Sequence, residues 1–212
     1  MANKIPTQSP IGNLMYVMVT GVGKENFEGD GYDYQTCVDV PEKEAEDYIA
    51  ELEDFLDENA PKNSEEAGTF YRTSEDDDTI EPGMVRFTYK TKTEYEDKKT
   101  GEMKQTKVNI LDSDGNNVKL PEGKLIGNGS TGRALGNAVI WERGNRKKKE
   151  HGLSLYLNKV QIKDFIPYEG EKVEAIEDGS FKGFDNDLQP EDEGAAEDEA
   201  PKRSRRSRRS RR

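Results

Sequence analysis

Residues 152–166 set the strongest constraint on how this chain can fold. Leu153, Leu155 and Leu157 alternate with other residues, and the apolar phase then moves to Val160 and Ile162. Period two sends successive side chains to opposite faces of a pleated strand, so the run reads as a long strand with one buried face. A change of phase inside a strand needs an extra residue, and a bulge is expected near Asn158 and Lys159. The segments 14–20 (LMYVMVT), 32–40 (YDYQTCVDV), 84–95 (MVRFTYKTKTEY) and 138–142 (AVIWE) are similarly rich in β-branched and aromatic residues. In 84–95, Phe87 and Tyr89 fall on one face and Arg86, Lys90 and Lys92 on the other.

One segment has a different period. Between Glu42 and Asn59, Ala45, Tyr48, Ile49, Leu52, Phe55 and Leu56 recur at three- and four-residue spacing, which predicts an amphipathic helix. Glutamates in its first turn suit the positive end of the helix dipole, and Asn59-Ala60-Pro61 supplies a stop. Residues 62–82, with SEEAG and SEDDDT, read as a solvated loop. EDKKTGEMK reads as a polar turn around Gly101, and 104–120 as a strand, an Asp114-Gly115 turn and a short strand, together a long hairpin. The glycine-rich 126–136 reads as a loop, and RGNRKKKE as a basic turn before the last strand. The expected architecture is mainly β. About five principal strands with one inserted helix are compatible with a five-stranded OB-fold barrel, an architecture that commonly binds oligonucleotides.

A length of 212 residues predicts one domain with appendages. Beyond Glu169 the composition is Gly, Glu, Asp and Ala with scattered apolar residues, too polar to offset the chain entropy of folding. The expected organisation is a folded domain over 1–168, an acidic disordered tail over 169–200 and an Arg/Ser-rich basic tail over 201–212. One cysteine and one histidine exclude an intramolecular disulfide framework and a Cys/His zinc site. Neither a membrane-length apolar run nor the apolar core of a signal peptide is present, so a soluble, intracellular protein without membrane contact is expected.

The formal net charge of -12 conceals a pronounced segregation. By segment it is -3 over 1–40, -13 over 41–81, +8 over 82–163, -12 over 164–200 and +8 over 201–212. A basic block between acidic ones is an interaction signature. Lysine and arginine attract phosphates with release of counterions, while tyrosine and tryptophan stack on any base for about 1 to 3 kcal/mol each. The candidate cations for a single-stranded nucleic-acid groove are Arg86, Lys90, Lys92, Lys98, Lys99, Lys104, Lys107, Arg133, Arg143, Arg146, Lys147, Lys148 and Lys149. The candidate stacking platforms are Tyr95, Trp141 and Tyr156. Tyr156 alternates outward from Leu155 and Leu157, and Trp141 shares a strand face with Arg143. Any single lysine here also reads as a solvated surface residue, and Trp141 equally as core.

Other motifs carry less. Gly127, Gly129 and Gly132 spell G-x-G-x-x-G, but no strand–helix–strand unit surrounds them, so a loop beside the groove is expected and no cofactor. Asp112-Ser113-Asp114-Gly115 resembles the start of a calcium loop, yet the glycine is misplaced and the twelfth ligand missing, which leaves a turn. Cys37 and His151 stand alone and read as structural. No catalytic constellation is apparent, so no enzymatic activity is expected.

The residues MANKI leading to the Tyr16 strand, YQTCVDVP before an acidic helix, FTYKTKTEYEDKKTGEMK, VNILDSDGNNV and IGNGS together resemble the single-stranded DNA-binding proteins of short-tailed bacteriophages, the coliphage replication type. The most specific are Asp97-Lys98-Lys99-Thr100 and the DSDG turn followed by the Gly/Ser loop. The resemblance covers roughly 1–168. It implies an OB barrel with a helix inserted after an early strand and non-catalytic coating of single strands in phage replication and recombination, in the cytoplasm of an infected bacterium. It also implies dimerisation and an acidic tail that recruits the phage DNA polymerase and helicase-primase. Residues 169–200 match that tail in charge, whereas eight Lys or Arg at the end depart from it. The departure suggests either a second, sequence-blind DNA contact or a segment that folds back on the acidic stretch. Two rival readings are an acidic nucleic-acid mimic that inhibits a DNA-binding enzyme and a metal-dependent nuclease; the basic block argues against the first and the missing constellation against the second. RNA is open as a ligand, because stacking grooves accept both sugars.

Overall fold

The computed structural model describes residues 3–26, 29, 31–97, 99–120, 124–145 and 148–168. Lys98, Arg146, Lys147 and both expected tails lie outside the described residues. In chain order the elements are β1 (Lys4–Gln8), β2 (Gly12–Met18), β3 (Lys24–Glu25), β4 (Tyr32–Pro41), α1 (Glu42–Asn59), β5 (Glu65–Glu66), β6 (Tyr71–Thr73), β7 (Met84–Lys92), β8 (Glu94–Glu96), β9 (Met103–Gln105), β10 (Asn109–Leu111), β11 (Ser130–Gly144) and β12 (Lys149–Asp164). Among the described residues the protein is mainly β with one helix following a strand, an OB-like fold. No helix among the described residues is long and apolar enough to cross a membrane.

The five long strands pair in a path that returns to its start. β2 pairs with β4 and β4 with β7, both antiparallel; β7 runs parallel to β12; β12 is antiparallel to β11; and β11 pairs again with β2. Inside lie Leu14, Val38, Val40, Phe87, Tyr89, Ala134, Ala138, Leu157 and Val160. Each fully buried side chain of Leu or Phe size stabilises the fold by about 1.5 to 3 kcal/mol. The helix covers this core with Ala45, Tyr48, Leu52, Phe55 and Leu56, the residues its spacing singled out, while Ile49 packs at the edge. It ends at Ala60, whose ψ of 137° is the extended geometry that a following proline imposes.

The bulge expected in β12 is present. Leu135 faces Lys159 and Gly136 faces Leu157, so Asn158 is the extra residue of a bulge. A second register shift lies between Thr131 and Gly132, where Lys163 is skipped. Three expectations need correction. The glycine-rich stretch is not all loop: β11 begins at Ser130, and Gly132 and Gly136 sit inside it at the two shifts. A Cβ on Gly136 would lie 1.7 Å from the Tyr156 carbonyl oxygen, and one on Gly132 2.2 Å from that of Gln161, so these glycines permit close backbone approach. The segment 62–82 contains β5 and β6, and its Asp77 is engaged by Arg86. The long hairpin over 104–120 shrinks to a three-residue β10 parallel to β12, with the return reduced to a Leu111–Asn117 bridge. The Asp112 carboxylate accepts the amides of Asp114 and Asn116, which makes DSDG a turn.

Candidate nucleic-acid interface

The outward faces of β2, β4, β7 and β12 form one continuous surface, because strand pairing aligns their side chains in rows. Tyr156 is opposite Lys90, Lys90 opposite Gln35, and Gln35 opposite Met18. One step along, Cys37 lies between Thr88 and Met15; two steps along, Asp39 lies between Arg86 and Asn13. In the other direction Lys92 faces Asp33, which faces Lys24. Over this floor opens a groove of about 590 Å³, bordered by Tyr16, Lys24, Phe70, Tyr71, Arg72 and Leu153–Leu155. Strand β6 supplies one wall by pairing Tyr71 with Phe87 and Arg72 with Arg86. At the other end the loop carrying Val22, together with Tyr32, Tyr34, Lys92 and Met103, encloses a further cleft of about 560 Å³.

The expected cations and platforms divide among separate places. Lys90 and Tyr156 are cross-strand neighbours, both exposed, and Lys92 continues the line; neither lysine forms an ion pair among the described residues. Arg86 points to the same face but is only 3% exposed. Its Nε and Nη2 donate to the two carboxylate oxygens of Asp39 at 2.6 and 2.7 Å, its Nη1 to Thr79 Oγ1 at 2.7 Å, and Nη2 also to the Thr79 carbonyl at 3.2 Å. That fork raises the guanidinium pKa further, chiefly through the Asp39 hydrogen bond. Asp77, 3.5 Å from Arg86, is held below the usual carboxylate range, mainly by hydrogen bonds from Thr79. Arg86 is thus a saturated buried ion pair and not a free cation.

Tyr95 and Lys104 face each other on the separate β8–β9 hairpin, with Lys99 in its turn; Lys104 pairs with Asp97. Lys107 is exposed beyond that hairpin. Trp141 and Arg143 lie near the free end of the β11–β12 hairpin, with the Arg143 guanidinium carbon 4.9 Å from the Trp141 ring centroid, so the expected pairing on one face holds. Trp141 is half-buried over Gly152, where a Cβ would come within 2.6 Å of its ring. Cations at this tip are partly neutralised: Glu150 engages Lys148 and Arg143, which lowers its pKa, and Glu142 engages Lys149. Arg133 is elsewhere, its Nε donating to Gln161 Oε1.

The groove also contains residues that sequence reading passed over: Tyr16, Lys24, Gln35, Phe70, Tyr71 and Arg72. In the uniformly apolar LMYVMVT the buried positions shift from Leu14 to Val17 and Val19, a phase slip that leaves Tyr16 and Met18 exposed. With no strongly polar residue before Thr20 to mark the solvent face, the slip is not visible in the sequence. Cys37, on the floor, is 4% exposed, and burial pushes its thiol pKa up. His151 is buried and shares a hydrogen bond between Nδ1 and Ser64 Oγ at 2.9 Å, a structural role.

No protein-family model and no curated protein sequence matches the chain. Solved structures do. The single-stranded DNA-binding protein gp2.5 of bacteriophage T7 superimposes with a TM-score of 0.54 at 21% identity, over 80% of this chain and 97% of that one. The chain has the fold of phage single-stranded DNA-binding proteins. The single-stranded DNA-binding protein of bacteriophage Enc34, solved in complex with single-stranded DNA, gives a TM-score of 0.52 at 14% identity, over 79% of this chain and 90% of that one. A second structure of the Enc34 protein gives a TM-score of 0.50 at 13% identity, over 81% of this chain and 87% of that one. These likenesses cover 87–97% of the solved chains, so the fold is shared over most of their length.

Proposed function

We propose that this protein is a non-catalytic single-stranded DNA-binding protein that coats and protects exposed strands during phage DNA replication and recombination. The observation that carries this reading is the outward row of Tyr156, Lys90 and Gln35 in a fold shared with single-stranded DNA-binding proteins of two phages. The closed pairing path is read as the five-stranded OB barrel, and its groove as the strand path. Lys90, Lys92, Lys24 and Arg72 supply phosphate contacts, and Tyr71 and Tyr156 supply surfaces for bases. The β8–β9 and β11–β12 hairpins, with Tyr95, Lys99, Trp141 and Arg143, extend the contact at its ends. The acidic tail recruits replication enzymes, and the protein works as a homodimer in the cytoplasm of an infected bacterium.

Fluorescence anisotropy with matched single-stranded and duplex DNA at two salt concentrations tests this. The expected result is a salt-sensitive preference for single strands that is retained by a chain ending at Tyr168 and weakened by Lys90→Ala. Binding confined to the full-length protein, with equal affinity for duplex, would assign DNA binding to the Arg/Ser segment and overturn the groove.

A further inference from the structure

Tyr16 combines three features that a strand residue rarely shows together. Its φ is +51°, in the left-handed region that a bulky residue enters only under constraint. It lies in the register shift between Met15 and Met18 where β2 departs from β4, and such bulges re-aim a side chain. Its amide donates to Asn128 Oδ1 at 2.8 Å, a contact from a loop 112 residues away that fixes the bent backbone. The ring so aimed lies against Arg86, whose guanidinium carbon is 5.4 Å from its centroid, and Tyr16 remains 37% exposed toward the groove.

Arg86 is itself held on several sides. A buried charge that spends its donors on Asp39, Thr79 and Asp77 has none to spare for a phosphate, and a buried pair of this kind is not a strong source of stability by itself. What it provides is a flat, immobile cationic surface beneath an aromatic ring. We infer that Tyr16 is a base-stacking platform of the groove and that Arg86, clamped by Asp39 and Thr79, is a positioning residue that holds the ring from below without touching phosphate. This inference rests on the single-stranded DNA reading above and gives that groove a defined stacking position.

The test measures the affinity of the full-length protein for a single-stranded oligonucleotide over a range of salt, and for an abasic strand of the same length that keeps the phosphates and lacks the bases. Tyr16→Ala should weaken binding to the normal strand roughly 5- to 100-fold, the loss of one stacked base, with an unchanged salt slope. Its deficit should vanish on the abasic strand, which a general structural defect would not do. Tyr16→Phe should bind as the unmodified protein does. Arg86→Lys keeps the charge and loses the fork; it should behave like Tyr16→Ala, while Lys90→Ala should reduce the slope of log affinity against log salt by about 0.7. Should Arg86→Lys fail to fold, Asn128→Ala, which releases the backbone of Tyr16 from the loop, should reproduce the base-dependent loss. A reduced salt slope in folded Arg86→Lys would show a phosphate contact and overturn the positioning role. Full affinity of Tyr16→Ala beside a weakened Lys90→Ala would overturn the platform alone, and full affinity of both would overturn the groove itself.

Discussion

Tyr89 is fully buried and Tyr48 nearly so, and their hydroxyls meet inside the core. The Tyr48 hydroxyl bonds to Thr7 Oγ1 at 2.8 Å and to the Tyr89 hydroxyl, a chain that ties β1 and the helix to β7. Burial lifts both phenols above their ordinary pKa of 10.0, Tyr89 well above it. A folded-state pKa raised in this way contributes stability that is fully present below the unfolded value and lost as pH rises from there through the folded value. The protein should therefore lose stability above about pH 10, and Tyr89→Phe, which keeps the Tyr48–Thr7 bond, should cost about 1 kcal/mol at neutral pH and lose less on going alkaline. Urea unfolding at a series of pH values measures both; parallel loss in the two proteins would mean that Tyr89 does not drive the alkaline transition. The network was not readable in the sequence, because nothing in spacing tells that residues 41 apart bring their hydroxyls together. Arg86 is a parallel case: its alternation with Phe87 gave the correct face, but that it is buried and paired with Asp39 was not readable.

At the scale of elements, legibility followed the contrast between apolar and polar positions. The helix over Glu42–Asn59 and the bulge at Asn158 were readable because polar residues mark the solvent face and reveal where the phase changes. The start of β11 was hidden by its glycines, which carry no side chain to mark a phase and read as loop. β6 has three residues, too few for any period, and exists only because β7 offers it an edge. The two glycines of β11 are where its shape is set. Gly136→Ala should destabilise the protein by about 3 kcal/mol, the upper end for an overpacked site, because the new methyl group meets the Tyr156 carbonyl and not a yielding side chain. It should also weaken DNA binding by shifting Tyr156. A urea midpoint unchanged from that of the unmodified protein would show that the bulge can open without loss.

For the whole molecule, charge segregation separates folding from association. Among the described residues the core is contributed by 5–162, and a chain ending at Tyr168 should unfold at the same urea midpoint as the full chain. Deleting 201–212, which carries eight Lys or Arg, should weaken binding to single-stranded DNA and flatten its dependence on salt. Anisotropy at several salt concentrations distinguishes this from an inert end, for which affinity and slope would both be unchanged.

Sequence alone determined the class of fold, the helix and its buried face, the bulge in β12 and the basic character of 82–163, because each is a matter of local period or composition. The tertiary structure decided which cations are free and which are consumed. Lys90 and Tyr156, 66 positions apart, became neighbours through the parallel pairing of β7 and β12, while Trp141 and Tyr95 were carried away on separate hairpins. Strand pairing is set by long-range packing, and no local pattern encodes which outward side chain will stand beside another.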